Sequence, residues 1–370
     1  MTPQPASTRA VPLPATRGEP GGGRPRALAP GWFAAVMGTG IVADAAVTLP
    51  RGSSALRDGA TVVWLAAALL LAVLGAGYIR RWGLRGHAVD PVAAQFLGAP
   101  PMALLTVGAG TLLLGGRVIG TRAAVDADWV LWSLGTAFGL AATCAVPYLM
   151  VTRHRFAPDA AHGGWLLPVV PPLVSAATGA LLVPHAAAGQ PRLALLLGCY
   201  ALLGLGLVAV FLVLAMIYSR LVHHDAPAGA TVPTVWIGLG ALGQAVTALG
   251  SLATAAQGVL PESSARGAGV LALLGGVGLW GFALLWLVLA VALTVREFRV
   301  GLPFAPTWWS FIFPLGACVT ATSALAHRTG SEMFVWLAVP LYAVLVAAWA
   351  AVAWHSLRHA AVRLRAYGAR

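Results

Sequence analysis

The sequence has no lysine, three cysteines and very little charge. Charged residues make up 9% of its 370 positions, against about 25% in a soluble globular domain. That shortfall excludes an ordinary soluble enzyme, and an apolar content of 59% excludes a disordered chain. All 23 basic residues are arginine. With so much Ala and Gly, the missing lysine reads as the bias of a G+C-rich genome and carries no chemistry. Cys144, Cys199 and Cys318 each sit in an apolar run, without a CxxC or metal-site spacing, and read as small packing residues. No HExxH, no GxSxG and no paired intramembrane carboxylates occur, so an embedded enzyme would lack its nucleophile, base or metal set. The histidines fall in loops or at span ends. His223-His224 beside Asp225 is the one metal-like cluster, and adjacent rings need not face one ligand position. No metal or cofactor is expected.

What the chain does have is long apolar runs. Ten are counted, at roughly 31–49, 61–80, 98–116, 128–150, 165–185, 192–219, 232–256, 267–295, 307–327 and 333–357. Each is long enough to cross a ~30 Å hydrocarbon layer as a helix. Unpaired backbone is costly in lipid, and the runs lack the alternation of barrel strands. The fold class expected is therefore an all-α polytopic membrane protein. Residues 1–29, rich in Pro, Gly and Arg, have no apolar core of a signal peptide and read as a disordered cytoplasmic tail. Residues 30–357 form the ten-helix domain, and 358–370 a basic cytoplasmic tail. The net charge of +12 lies in the connections, where it reports orientation rather than nucleic-acid binding. One side carries 16 arginines and the other 7, which places both termini in the cytoplasm of a cell-membrane protein.

Breakers concentrate in the odd spans: Gly38 and Gly40, then Pro100 and Pro101, then Pro168, Pro171 and Pro172, then Gly238, Gly240, Gly243 and Gly250, then Pro314 and Gly316. Spans 2, 6 and 8 lack proline; span 4 has Pro147 near its end, and span 10 breaks the rule with Pro340. Irregular helices survive in lipid where protein or a wet cavity satisfies the backbone. Five helical hairpins follow, with odd helices inside around a central pathway and even helices outside. That pathway would be lined by Thr39, Asp44, Thr106, Ser175, Thr178, Gln244, Thr247, Thr320, Thr322 and Ser323, beside Gly38 and Gly40. A lining of hydroxyls without fixed positive charge can pass an anion while binding it weakly. The same hydroxyls can equally bond helix to helix, or to their own backbone. Asp44 is the one acidic residue placed inside a span. It reads either as a proton carrier or as a group reaching the interface. Phe313 directly precedes Pro314, so its ring sits at an expected kink, as a gate or as plain packing.

Trp32 through Ile41, reading WFAAVMGTGI, resembles the opening of the tellurite-resistance/dicarboxylate transporter family. Trp308 through Gly316, WWSFIFPLG, is similar to its ninth-helix motif. Asp90 through Pro101 and Trp165 through Pro172 resemble the starts of its third and fifth helices. The likeness covers about residues 30–357. It implies five helical hairpins around a pore, a homotrimer, and occlusion of the pore by the aromatic at Phe313. Asp44 is outside the family motif. The function expected is a transporter or channel for small anions, sulfite or a C4-dicarboxylate such as malate, with tellurite or metalloid oxyanion resistance as the alternative.

Overall fold

The structure is a computed structural model. It describes residues 29–80 and 90–368; the expected N-terminal tail, except Ala29, lies outside the described residues. Among the described residues the regular structure is entirely helical. Ten main helices follow one another: α1 (Phe33–Thr48), α2 (Ser54–Arg80), α3 (Ala99–Leu114), α4 (Thr121–Thr152), α5 (Pro171–Leu182), α6 (Gln190–His223), α7 (Ile237–Ala255), α8 (Glu262–Val300), α9 (Ile312–Thr329) and α10 (Glu332–Gly368). Nine of these, with the turns that extend them, are long and apolar enough to cross a membrane. α5 alone is short, with 12 α-helical residues, and 3-10 turns at Gly163–Leu166 and Val183–His185 lengthen it.

The odd helices touch in a closed circuit, α1 to α3, α5, α7, α9 and back to α1. Each even helix packs outside, against the odd helix before it and the one after it. The odd helices are buried along nearly their whole length. The even ones expose apolar faces, including Leu69, Phe138, Val208, Leu274 and Val344. Such faces suit lipid. The sequence-based division into inner and outer helices therefore holds.

The prolines have a different job from the one expected. Pro100 and Pro101 lie at the start of α3, Pro171 and Pro172 at the start of α5, and Pro314 in the first turn of α9. The first turn of a helix has N–H groups without intrahelical partners, so a residue lacking an N–H costs little there. These prolines start inner helices rather than kink them. In particular, Phe313 does not sit at a mid-helix kink. It follows a 3-10 segment, Pro306–Phe311, that changes into α9 at Ile312. Similar 3-10 segments precede the other inner helices, at Pro30–Trp32, Phe96–Gly98, Gly163–Leu166 and Gly229–Trp236. In the outer helices Pro147 and Pro340 are carried inside continuous helix.

Inner helices approach closely where glycine removes the side chain. A Cβ on Gly243 of α7 would stand 2.7 Å from the Ala317 backbone of α9. A Cβ on Gly316 would stand 2.5 Å from Ile41 of α1. Outer helices are tied on by indole N–H groups. Trp64 (α2) donates to Thr111 (α3) at 3.2 Å, and Trp132 (α4) to the Ser175 carbonyl (α5) at 2.9 Å. Trp280 (α8) donates to Thr322 (α9) at 3.0 Å, and Trp349 (α10) to Thr39 (α1) at 3.2 Å. In each case the donor helix reaches the next inner helix round the ring.

Gly243→Val should push α7 off α9 and destabilise the fold by about 1–3 kcal/mol, the usual cost of overpacking a tight contact. A lowered unfolding temperature in detergent is the expected reading. Gly204→Val, on α6 where a Cβ meets nothing within 4 Å, should leave it unchanged.

Candidate functional site

A cavity of about 400 Å³ opens at the end where the inner helices begin. Every inner helix, or the segment leading into it, supplies part of the wall, and no outer helix does. Met37 comes from α1, Met102 from α3, Val170 from the start of α5, Ala241 from α7, and Phe313 with Pro314 from α9. The wall is almost entirely apolar. Phe313 is 3% exposed, so its ring is packed away from solvent.

Helix geometry extends this wall towards the other end. A residue seven positions on lies about two turns further along nearly the same face. From Met37 that residue is Asp44, from Ile237 it is Gln244, and from Phe313 it is Thr320. A further seven residues reach His327, whose ring lies 3.0 Å from the Thr48 carbonyl at the end of α1. Asp44, Gln244 and Thr320 thus continue the cavity-lining faces.

The other residues expected to line a pathway are placed differently. Thr39 faces outward and accepts the Trp349 indole. Gly38 lies under the Trp309 ring, and Gly40 receives the Thr106 methyl. Ser175 lends its carbonyl to Trp132 of the outer helix α4, while its buried hydroxyl has no partner. Thr106 donates to Met102 O at 2.8 Å and Thr178 to Val174 O at 2.9 Å. Thr322 is bonded to Cys318 O and to Trp280. Ser323 is buried without a partner for its hydroxyl.

Thr247 and Thr320 lie 2.9 Å apart across the α7–α9 contact, and each also reaches a carbonyl of its own helix, Gly243 O and Ala317 O. Two hydroxyl protons can make only two of these three bonds at once, so none is spare. Along these helices the threonines spend their protons on helix carbonyls. They offer lone pairs, not donors. The groups at the cavity suited to an anion are the starts of the five inner helices, which converge there with their partial positive ends.

One buried acidic residue escaped the sequence reading. α4 begins at Thr121, about two turns before the expected run of 128–150, so Asp128, the first residue of that run, lies well inside the helix. Its buried face runs Ala124, Asp128, Gly135, Gly139, Ala142 and Val146. That stripe of small residues at helical spacing was the signal. Asp128 is fully buried and neither carboxyl oxygen has a hydrogen-bond partner. Asp44 is buried, with 7% exposed, and its Oδ1 is also without a partner.

Among the described residues, no three His, Cys, Asp or Glu side chains gather as metal ligands. His223 turns back to Ser219 of its own helix. His162, in the connection after α4, has its Nδ1 3.0 Å from the Gly164 N–H. Its pKa is lowered by burial and by the nearby Arg220, which keeps the ring neutral and able to accept that bond.

Cysteines placed at Ala34, Phe96 and Ser310, which line the cavity and are partly exposed, should react with a membrane-impermeant thiol reagent added on the cavity side. A cysteine at Thr39 should not. A background lacking Cys144, Cys199 and Cys318 isolates each signal, read as mass added per protein.

Residues 27–357 match the voltage-dependent anion channel family. Sulfite efflux pumps of Trichophyton rubrum and Arthroderma otae are each 29% identical to the chain over 337 residues, covering 87% of it and 88% of their own length. An uncharacterized transporter of Methanocaldococcus jannaschii is 28% identical over 330 residues, covering 87% of the chain and 90% of its own length. The match runs from the first inner helix into the last outer one. The chain therefore belongs to the voltage-dependent anion channel family: it is a multi-pass membrane protein that transports anions, and not an enzyme.

Proposed function

We propose that the protein lets small anions leave the cell, sulfite first among them, along a pathway enclosed by the five inner helices and gated by Phe313. The observation that carries this reading is the cavity. Its wall comes from inner helices alone, at the end where their positive dipole ends converge, and Phe313 with Pro314 forms part of it. From there the faces of Met37, Ile237 and Phe313 continue through Asp44, Gln244 and Thr320. Anions would be drawn to the helix starts and would pass lone pairs and apolar surface that bind them weakly. Weak binding favours flux.

Sulfite is favoured because two of the relatives are named sulfite efflux pumps. The direction has a physical ground as well. A membrane potential of about −100 mV favours exit of a monovalent anion by about 2.3 kcal/mol, so export needs no further driving force. Uptake of a dicarboxylate such as malate would need one. The arginine distribution supports a cell-membrane protein with both termini in the cytoplasm, which puts the cavity on the cytoplasmic side. The exposed apolar faces of the even helices would meet lipid and, in a homotrimer, the neighbouring copies.

Phe313→Ala removes the ring from the wall while leaving the helix start intact. In proteoliposomes it should raise anion flux by about tenfold or more, equivalent to about 1.4 kcal/mol off the barrier. Tracer sulfite, chloride, malate and tellurite should be compared for both proteins. A correctly folded variant with wild-type flux for all of them would remove Phe313 as the gate. Malate uptake driven by a pH gradient, with no sulfite efflux, would overturn the export reading.

A further inference from the structure

The far end of the inner ring holds two buried carboxyl groups that the pathway just described does not require. Asp44 lies in the last part of α1, about 10 Å along the helix axis from the cavity residue Met37. Asp128 lies in the second turn of α4, whose start is at the same end. Both point at α3. A Cβ on Gly110 would stand 3.0 Å from Asp44 Oδ1, and a Cβ on Gly108 would stand 2.5 Å from Asp128 Oδ1. Two positions on a helix differ by about 200°, so the two carboxyls press into glycine notches on opposite sides of α3. Asp44 comes from the inner helix α1 and Asp128 from the outer helix α4.

The neighbours offer neither group a counter-charge. α3 and α5 carry no titratable side chain. On α2, Arg57 donates to the Leu113 carbonyl, and Asp58 is paired with Arg117. Trp64 of α2 packs on Gly110 but donates its N–H to Thr111. On α9, Cys318 is bonded by Thr322, His327 reaches Thr48 O, and Arg328 is turned to Gly250 O on α7. On α10, Tyr342 packs against the apolar cluster around Trp64, and Glu332 pairs with Arg51. On α4 itself, Asp126 and Arg122 are exposed. Three buried oxygens, Asp44 Oδ1 and both of Asp128, are thus without donor or cation. An intramembrane acid in this position is expensive unless it is neutralised, and a proton is the smallest group that neutralises it.

We propose that Asp44 and Asp128 form a proton-binding pair across α3, and that proton uptake by the pair opens the pathway to anions. The inference rests on the anion-transport reading. Ionised, Asp44 sets a negative charge on the face an anion must pass, and Asp128 adds a second from behind the helix. Both repel the permeant ion and each other. Protonated, the pair leaves the pathway uncharged. The sequence alone offers Asp44 either as a proton carrier or as a group reaching the interface; the structure assigns it a partner on a different helix.

The test has two readouts. In proteoliposomes, flux of chloride and nitrate, whose charge is fixed over the range, is followed from about pH 4.5 to about pH 8.5, which spans ordinary and strongly shifted carboxyls. Wild-type flux should rise on acidification by about tenfold. Asp44→Asn should hold flux at the acid level at every pH. Asp128→Asn should move the midpoint to lower pH, because removing a neighbouring negative charge makes Asp44 easier to ionise. Infrared difference spectra between the two pH limits should show the carbonyl stretch of protonated carboxylic acid. The band should shrink in each variant and most in the double variant, where only the ordinary surface carboxyls remain. If Asp128→Asn fails to fold, the band that survives in Asp44→Asn reports Asp128 directly. Wild-type pH profiles in both single variants, or no acid band that either substitution removes, would overturn the pair. A protein that carries no anion at all would sink the transport reading, and the infrared comparison, which needs no flux, would still decide the acid pair.

Discussion

The structure depends on how closely its inner helices approach. Where α7 meets α9, Gly243 lets backbone lie on backbone, and where α9 meets α1, Gly316 takes the Ile41 side chain into the space of its own missing one. Lipid gives no hydrophobic drive to bring helices together, so contact distance sets the strength of association. Small residues at those contacts make five helices close into a ring. The same ring, by closing, keeps a cavity at one end free of outer-helix side chains. Architecture and candidate pathway therefore have one origin.

The outer helices answer a second constraint. They must hold the ring without entering it, and must leave no polar group facing hydrocarbon. On four of the five, α2, α4, α8 and α10, tryptophan does both. Its ring fills a glycine notch on an inner helix, as Trp64 does at Gly110 and Trp132 at Gly179, and its N–H ends on a hydroxyl or carbonyl of the inner layer. Buried indole normally finds such a partner. This explains why hydroxyls such as Thr39 and Thr111 are buried in inner helices without facing the cavity. They are anchor points for the layer outside.

That division of labour bears on what the sequence could reveal. Long apolar runs and the odd–even contrast in breakers were enough to find the helices and sort them into two layers. The function of the prolines was not legible, because a proline that starts a helix and one that bends it look the same until the preceding 3-10 segment is seen. Nor could the direction of each hydroxyl be read. Thr39 and Thr320 have the same chemistry, and only the neighbour, Trp349 in one case and Thr247 in the other, tells them apart. Asp128 was passed over for a simpler reason: it stood at the first position of the expected run, and polar residues in the first turns of α4 hid how far the helix extends before it. Its register with Gly135 and Gly139 was present in the sequence, but a stripe of small residues has meaning only once the facing helix is known.

The 3-10 segments that open the inner helices have a mechanical consequence. Each touches the next: Pro30–Trp32 meets Phe96–Gly98, the stretch before α3 meets Gly163–Leu166, and the circuit continues through Gly229–Trp236 and Pro306–Phe311 back to the first. They form a collar at the cavity rim. A 3-10 turn is wound more tightly than an α-helix, with poorer hydrogen-bond geometry, and can rewind at small cost. A helix start in such a collar cannot tilt alone, since both neighbours would have to give. Widening the rim is then a collective change shared by five elements, like the leaves of an iris, rather than the swing of a single door.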